Sequence, residues 1–298
     1  MNKKTLIVID ANAVIHRAFH ALPPLSTKKG ELVNAVYGFL LVFLKAIKEF
    51  NPDFIVGAFD FPAPTFRHEK YKLYKATREK APQELYDQIP KVKKILEAFK
   101  VKVLEKQGFE ADDLIGTVVK QAERKQIYPP IETIILTGDL DALQLVDNNT
   151  KVYTLKKGVK DTVLYDEEKV KEKMQGLTPD QIVDYKSLRG DPSDNIPGVT
   201  GIGEKIAIDL LLKFGSLDNV YNNLNDIKPA VREKLLNQKD QALISKMLAQ
   251  IDKDVPIDFN LKECEWKSYN KEEIIKIFDN YEFKTLINRL PENNLTLL

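Results

Sequence analysis

The first half of the chain alternates short apolar runs with longer segments whose apolar residues recur every three or four positions. TLIVID (5–10), DFIVGAFD (53–60), VKVL (101–104) and IETIILTG (131–138) are short and rich in Val and Ile, and each reads as a buried strand. Between them, Val36, Leu40, Leu44 and Ile47 give 33–50 a helical stripe, 83–99 repeats the pattern behind Pro82, and 110–126 opens on three acids. Strands and helices alternating at this spacing predict an α/β fold with a mostly parallel central sheet covered by helices. KVYTL and TVLYD (151–155 and 162–166), joined at Gly158, predict a hairpin that closes this unit. From about residue 173 the pattern is helical only, over 178–188, 203–214, 216–225, 228–239, 240–250 and 271–290. The expected division is an α/β domain over 1–172 and a helical domain over 173–298, with a loosely ordered tail, PENNLTLL.

Composition narrows the function classes without choosing one. With 298 residues, 43% of them hydrophobic, the chain can bury a sizeable core. Basic and acidic residues nearly balance at 45 and 44, so opposed patches matter more than the net charge of +1. The single Cys264 excludes an intrachain disulfide and a thiolate metal cluster, and fits a reducing compartment. The first apolar run is about five residues, shorter than the roughly 7–15 of a secretion signal. Nothing approaches the roughly 20 apolar residues of a membrane span, so a cytoplasmic protein without a membrane partner is expected.

The candidate chemistry sits at the strand ends. TLIVID ends in Asp10, DFIVGAFD in Asp60, and LTGDLDALQLV (136–146) carries Asp139 and Asp141, while VKVL leads to Glu110, Asp112 and Asp113 at a helix start. Open α/β sheets bind ligands at the carboxyl ends of their strands, so these acids are expected to converge on one crevice. Singly, each has a structural explanation as a helix cap or as a complement to a helix dipole. Together, so many carboxylates cannot stay ionised without a cation, because like charges disfavour each other's ionised form. No Cys or His cluster offers soft ligands, and oxygen-only coordination suits Mg²⁺ or Mn²⁺. The number of acids points to two ions, an arrangement that stabilises both the attacking and the leaving oxygen in phosphoryl displacement.

Two further segments suggest nucleic acid. FPAPTFRHEKYKLYKATREK (61–80) carries Arg67, Lys70, Lys72, Lys75, Arg78 and Lys80, and in any helix here Tyr71, Tyr74, Lys75 and Arg78 share one face. Charge interleaved with tyrosines suits a single strand, although basic runs are usually just solvated. In LRGDPSDNIPGVTGIGEKIA (188–207), Asp191 and Asp194 precede Gly198, Gly201 and Gly203 and a helix starting near Glu204. Glu204 and Ile206 exclude a mononucleotide P-loop, and Ile206 also fails the dinucleotide fingerprint. The remaining G-I-G-x-K pattern suits backbone contacts to a duplex, which position DNA without reading its sequence.

The stretches IDANAVIHRAFHA, FDFPAPTFRHEKY with YKATR, GFEADDLIGT, LTGDLDALQLV and LRGDPSDNIPGVTGIGEKIA, in this order, closely resemble the 5′-nuclease domains of bacterial DNA polymerase I, within the flap endonuclease family. The resemblance covers nearly the whole chain and implies a PIN-like 5′-nuclease core followed by a helix–hairpin–helix-like DNA-binding domain, with that motif at about 190–214. It implies a metal-dependent phosphodiesterase that cuts DNA at 5′ flaps, 5′ overhangs or nicks during replication and repair, leaving a 5′-phosphate and a 3′-hydroxyl. Asp10, Asp60, Glu110 and Asp112 match a first Mg²⁺ site and Asp139, Asp141, Asp191 and Asp194 a second, with Asp113 in support and Mn²⁺ able to substitute. Lys75 and Arg78 match catalytic, positively charged residues of a helical arch at about 62–82, where Arg67 and Tyr74 would also meet DNA. Gly201, Gly203 and Lys205 match the duplex grip, and the Val199 and Ile202 carbonyls a K⁺ site. A monomer is implied, working beside a DNA polymerase in cis or in trans. Leu140 departs from the family, which often has lysine between these aspartates.

The rivals are fewer. A haloacid-dehalogenase-like phosphatase would need Thr where Leu143 stands. A PIN-type ribonuclease would lack the glycine hairpin and basic arch, and a non-catalytic DNA-binding module would not need every carboxylate. His16 and His20 are expected to cap or pack, Trp266 and Cys264 to pack, and His68 and Arg17 remain candidate phosphate contacts only.

Overall fold

The Val- and Ile-rich runs pair as their alternation with helices requires. In the computed structural model, which describes residues 3–124, 130–159, 161–266 and 269–291, they form β1 (Lys4–Asp10), β2 (Phe54–Ala58), β3 (Lys102–Leu104), β4 (Ile131–Thr137), β5 (Thr150–Lys157) and β6 (Asp161–Tyr165). These make one sheet in the order β3-β2-β1-β4-β5-β6, parallel throughout except for the β5–β6 hairpin. Alternate residues of β1 feed opposite faces: Ile7 and Ile9 enter one apolar cluster, Leu6 and Val8 the other. Burial on both faces explains why the strands read as continuous apolar runs.

The helices α1 (Ala11–Ala21), α2 (Asn34–Phe50), α3 (Phe66–Lys70), α4 (Gln83–Tyr86), α5 (Ile89–Ala98) and α6 (Ala111–Arg124) connect the parallel strands. Two expectations change here. The helix over 83–99 is broken in two, because Gln88 is fully buried and turns its carboxamide toward α2. Its Oε1 accepts from Ala35 N at 2.8 Å and Val36 N at 3.3 Å, satisfying a helix start whose own N-cap residue, Val33, offers no side-chain bond. The segment 71–80 is not helical either. Its backbone makes successive tight turns, Tyr74 N to Tyr71 O, Ala76 N to Leu73 O and Arg78 N to Lys75 O, with Lys75 at φ +55°. Tyr71, Tyr74, Lys75 and Arg78 therefore share no helical face.

Beyond the hairpin lie α7 (Glu167–Lys173), α8 (Ile182–Arg189), α9 (Glu204–Phe214), α10 (Leu217–Asn222), α11 (Pro229–Asn237) and α12 (Lys239–Ala249). Leu188, Ala207, Leu211, Val220 and Leu235 give this helical part its own core. The helical domain does not run to the chain end, however. From Ile251 onward the chain returns to the α/β part, and α13 (Lys271–Asn280) and α14 (Lys284–Ile287) place Ile274, Phe278 and Leu286 in the cluster that holds Phe39 and Phe43 of α2. Trp266 closes the same cluster edge-on to Phe43, with ring centroids 6.3 Å apart. The expected helix 271–290 is interrupted at Glu282, which takes φ +63°. The end of the helix expected to reach Gln126, and the tail beyond Pro291, lie outside the described residues. Among the described residues no helix is long and apolar enough to cross a membrane.

One buried cation ties the two parts together beside the sheet edge. Arg67 of α3 is 2% exposed and donates in bidentate fashion to Asp113 of α6, both bonds at 2.8 Å. It also donates to Leu248 O at 2.9 Å and Gln250 O at 2.7 Å, where the chain leaves α12. Removing one member of such a pair strands a buried charge, so Arg67→Met should cost about 3–5 kcal/mol. Urea unfolding should show this loss, and Arg67→Met with Asp113→Leu should recover part of it. A surface DNA contact would instead lose affinity at unchanged stability.

Candidate active site

Each acid reaches the carboxyl edge of the sheet by a local device. Asp10 ends β1 and caps α1, its Oδ1 accepting from Ala13 N at 3.0 Å, while Oδ2 accepts from Thr137 Oγ1 at 2.6 Å. The capping explanation is thus correct, yet the carboxylate is also 4% exposed at the floor of a cleft of about 400 Å³. Asp60, just past β2, accepts from Ala111 N at 2.8 Å at the start of α6, where the helix dipole favours an anion. Glu110 and Asp112 line the same cleft from that helix start. Asp139 and Asp141 follow β4 through Gly138, whose place only glycine can take: a Cβ there would lie 2.7 Å from Ala13 O. Asp191 and Asp194 come from the loop after α8, which is pinched shut by paired backbone bonds between Asp191 and Ile196.

The acids fall into two electrostatically different halves. Among the described residues no lysine or arginine forms an ion pair with Asp10, Asp60, Asp112 or Asp139. Burial pushes the Asp10 carboxyl up to about 7, with Asp60 and Asp139 adding repulsion. Burial, then repulsion from Asp10, Asp139 and Asp141, holds Asp112 well above the usual carboxylate range, and burial raises Asp60. Asp112 Oδ1 is buried without a hydrogen-bond partner. The other half is neutralised internally. Lys75 Nζ lies 2.9 Å from Glu110 Oε1 and 3.9 Å from Asp194 Oδ2, Arg78 pairs with Asp194 Oδ1, and the Tyr74 hydroxyl donates to Glu110 at 3.1 Å and Asp194 at 3.3 Å. Lys186 of α8 bridges Asp141 and Asp191, the latter at 2.6 Å. Burial, with Asp139, still lifts Asp141 to about 6. Burial also acts to raise Asp191, but Lys186 and Ser193 overcome it and hold that carboxyl below its ordinary value.

Among the described residues no three carboxylates are already gathered as an ion cage. Mutual repulsion and the internal cations account for that. The donor set nevertheless fits a hard divalent cation at the Asp10–Asp112 end, where every candidate ligand is oxygen, no described lysine or arginine pairs with Asp10, Asp60 or Asp112, and one buried oxygen is unsatisfied.

Several expected residues have other work. Asp113 is fully buried, and its oxygens take Arg67, Glu110 N at 3.0 Å and Asp252 N at 2.8 Å, so it braces the site and is not a metal ligand. Arg67, for the same reason, is not a DNA contact. Tyr74 is 3% exposed and its ring lies among Val183, Ile196 and Leu248, so it offers no face to a base. Arg17 is spent on the Leu155 and Lys156 carbonyls, and His68 on a capping box with Thr65. His16, expected to cap or pack, lines the cleft, and burial lowers its imidazole pKa. Lys186, Thr137 and Asn12, which accepts from Asp60 N at 3.4 Å, carried no signal in the sequence. Lys186 is simply one helical lysine among many, legible only as lying five residues before Asp191.

At the glycine hairpin, Gly201, Gly203 and Lys205 are exposed at the start of α9, with open space around Gly203. Val199 O closes a turn with Ile202 N at 2.9 Å, and Lys234 Nζ donates to Gly201 O at 3.0 Å. The hairpin thus carries a cation of its own at the Gly201 carbonyl.

Residues 5–175 match the family described as 5′-3′ exonuclease, N-terminal resolvase-like domain, and residues 177–272 match its C-terminal SAM fold. The chain belongs to the 5′-3′ exonuclease family. It is 43% identical over 293 residues to DNA polymerase I of Bacillus subtilis (strain 168) and 44% identical over 287 residues to that of Caldicellulosiruptor bescii, covering 98% and 96% of this chain. In each case it spans 33% of the relative, about a third of its length. Among solved structures, the T5 protein co-crystallised with metal ions superposes with a TM-score of 0.69 at 16% identity, covering 96% of this chain and 100% of that one. The catalytic core of Rad2 in complex with DNA substrate gives 0.62 at 20% identity, covering 97% and 93%. At such identities these likenesses establish the fold. The family's named members are 5′-3′ exonucleases and flap endonucleases, hydrolases acting on DNA.

The raised acids make cation uptake pH-dependent. Asp10, near 3.8 when unfolded and about 7 in the fold, favours the folded protein fully below the lower value and loses that contribution as pH rises to the upper one. The Tm of the ion-free wild type, taken relative to Asp10→Asn, should therefore fall across this window. Mg²⁺ uptake at pH 6 should release protons, and calorimetric titration in two buffers of different ionisation heat should show the release shrinking above neutrality.

Proposed function

We propose that the chain is a divalent-metal-dependent, structure-specific 5′-nuclease that hydrolyses DNA phosphodiesters at 5′ flaps and 5′ ends near duplex junctions, leaving 5′-phosphate and 3′-hydroxyl termini. The observation that carries this reading is the group Asp10, Asp60, Asp112 and Asp139, drawn to one sheet edge with no ion-pair partner among the described residues and with an unsatisfied buried oxygen. Asp10, Asp60, Glu110 and Asp112 would hold one ion and Asp139, Asp141, Asp191 and Asp194 a second. When bound, such ions polarise a phosphodiester and ease deprotonation of water.

The chain's own side chains do the rest. Lys75 and Arg78, at the cleft wall, offset the charge that grows on the phosphate in the transition state. Both already face acids there, so they can exchange a carboxylate partner for a phosphate without moving far. His16 offers a neutral imidazole in the cleft at neutral pH. Thr137 and Ala13 N, each donating to one oxygen of Asp10, fix the orientation of its carboxylate. Exposed Lys70, Lys72 and Lys80 extend a basic surface from the cleft for the unpaired strand. Gly201, Gly203 and Lys205 at the start of α9 grip the duplex, and their distance from the cleft sets where the cut falls. The likeness to polymerase I relatives supports a role in primer or flap removal beside a DNA polymerase, in the cytoplasm.

A labelled 5′-flap duplex tests the reading. Wild type should cut near the junction in Mg²⁺ and not in EDTA. Asp112→Asn should lower the rate by on the order of a thousandfold or more while flap affinity in Ca²⁺ changes only a few-fold. Faster cutting of single-stranded RNA than of the flap would favour a ribonuclease instead.

A further inference from the structure

Lys186 differs from Arg67 in how it is held, and from Lys75 in meeting both of its carboxylates closely. Arg67 is locked by a bidentate carboxylate and two backbone carbonyls. Lys186, 12% exposed, spends its ammonium on two groups only, Asp141 Oδ1 and Asp191 Oδ2, and both are assigned above to the second ion. These carboxylates arrive from different parts of the fold, one after β4 and one after α8. An ammonium between them satisfies the electrostatic demand that a cation would. It also sits in the last turn of α8, where the helix dipole favours positive charge. A lysine is a compact, strongly hydrated charge on a flexible stem, so it can leave such a position where a forked arginine could not do so readily.

We propose that Lys186 is a tethered counter-ion that holds the second cation's place in the resting protein and must be displaced for that ion to load. The proposal rests on the two-ion reading of the acids. It accounts for an asymmetry of the cleft: among the described residues Asp10, Asp60 and Asp112 of the first group have no ion-pair partner and only Glu110 meets Lys75, while Asp141 and Asp191 are bridged by one ammonium and take an ion only by evicting it. The second ion is then loaded last, at higher free cation concentration, and Lys186 sets that threshold.

Calorimetric and electron paramagnetic resonance titrations with Mn²⁺, without DNA and at a fixed, mildly alkaline pH, test this on the whole chain. Wild type should bind one ion tightly and a second more weakly. Lys186→Met should tighten the second step by about tenfold or more and leave the first within about twofold, since only the competing ammonium is gone. It should also lower the ion-free Tm and enlarge the Tm gain on adding Mn²⁺. A purely structural lysine would lower the Tm without tightening the second step, and an unchanged or weaker second step would overturn the proposal while leaving two ions in place. One ion in both proteins would overturn the two-ion reading itself. Should Lys186→Met not fold, wild type labelled at the lysine side chains serves: in a titration with diamagnetic Mg²⁺, the Lys186 resonance should move only in the second binding phase. Movement in the first phase, or none, would overturn the proposal.

Discussion

Repulsion among carboxylates gathered at one sheet edge is the constraint to which the rest of the site answers. Five parallel strands must end somewhere, and in a doubly covered sheet they end in a crevice between helices, where water is scarce and charge is costly. Asp10 is 4% exposed and Asp112 keeps one buried oxygen without a partner, and burial raises the pKa of both. The fold answers that cost in two ways. It supplies its own cations to Glu110, Asp194, Asp141 and Asp191 through Lys75, Arg78 and Lys186, and among the described residues it supplies no ion-pair partner to Asp10, Asp60, Asp112 or Asp139.

The same crevice explains why the helical part is docked where it is. Asp191 and Asp194 can serve the site only if the loop after α8 is held against β4, and three contacts hold it. Tyr74 lies between the basic segment and Val183, Ile196 and Leu248, Lys75 N donates to Asp194 O at 2.9 Å, and Arg67 joins α3 and α6 to the end of α12. The basic segment is thus both wall and fastening. Its buried members do structural work, and its exposed ones remain for phosphate.

Much of this was legible in the sequence because strand periodicity and strand ends are local properties. The parallel sheet, the closing hairpin and the change to helices near residue 173 follow from patterns a few residues long. What was misread shares one cause, long-range competition for a backbone or a side chain. Gln88 broke a regular helical pattern to cap α2 from 53 residues away, and the tyrosine face expected over 71–78 dissolved because Lys75 N is bonded to Asp194 O. The C-terminal helices were assigned to the wrong core because apolar stripes do not say which cluster they join; Phe278 joins Phe39 across most of the chain.

Asp112 and Asp113 show where the line falls. The sequence by itself determined that acids stand at the ends of β1, β2 and β4 and at the start of α6, since the hydrophobic period fixes where each strand stops. It could not tell two neighbouring aspartates apart. On a helix they point about 100° apart, and only the docking of α3 and the return from α12 decides that Asp113 meets a guanidinium while Asp112 meets the cleft. The pairing of Lys186 with Asp141 was likewise decided by tertiary structure, 45 residues apart in the chain. Charge type is written residue by residue, but which charges meet depends on how separately folded segments are brought together.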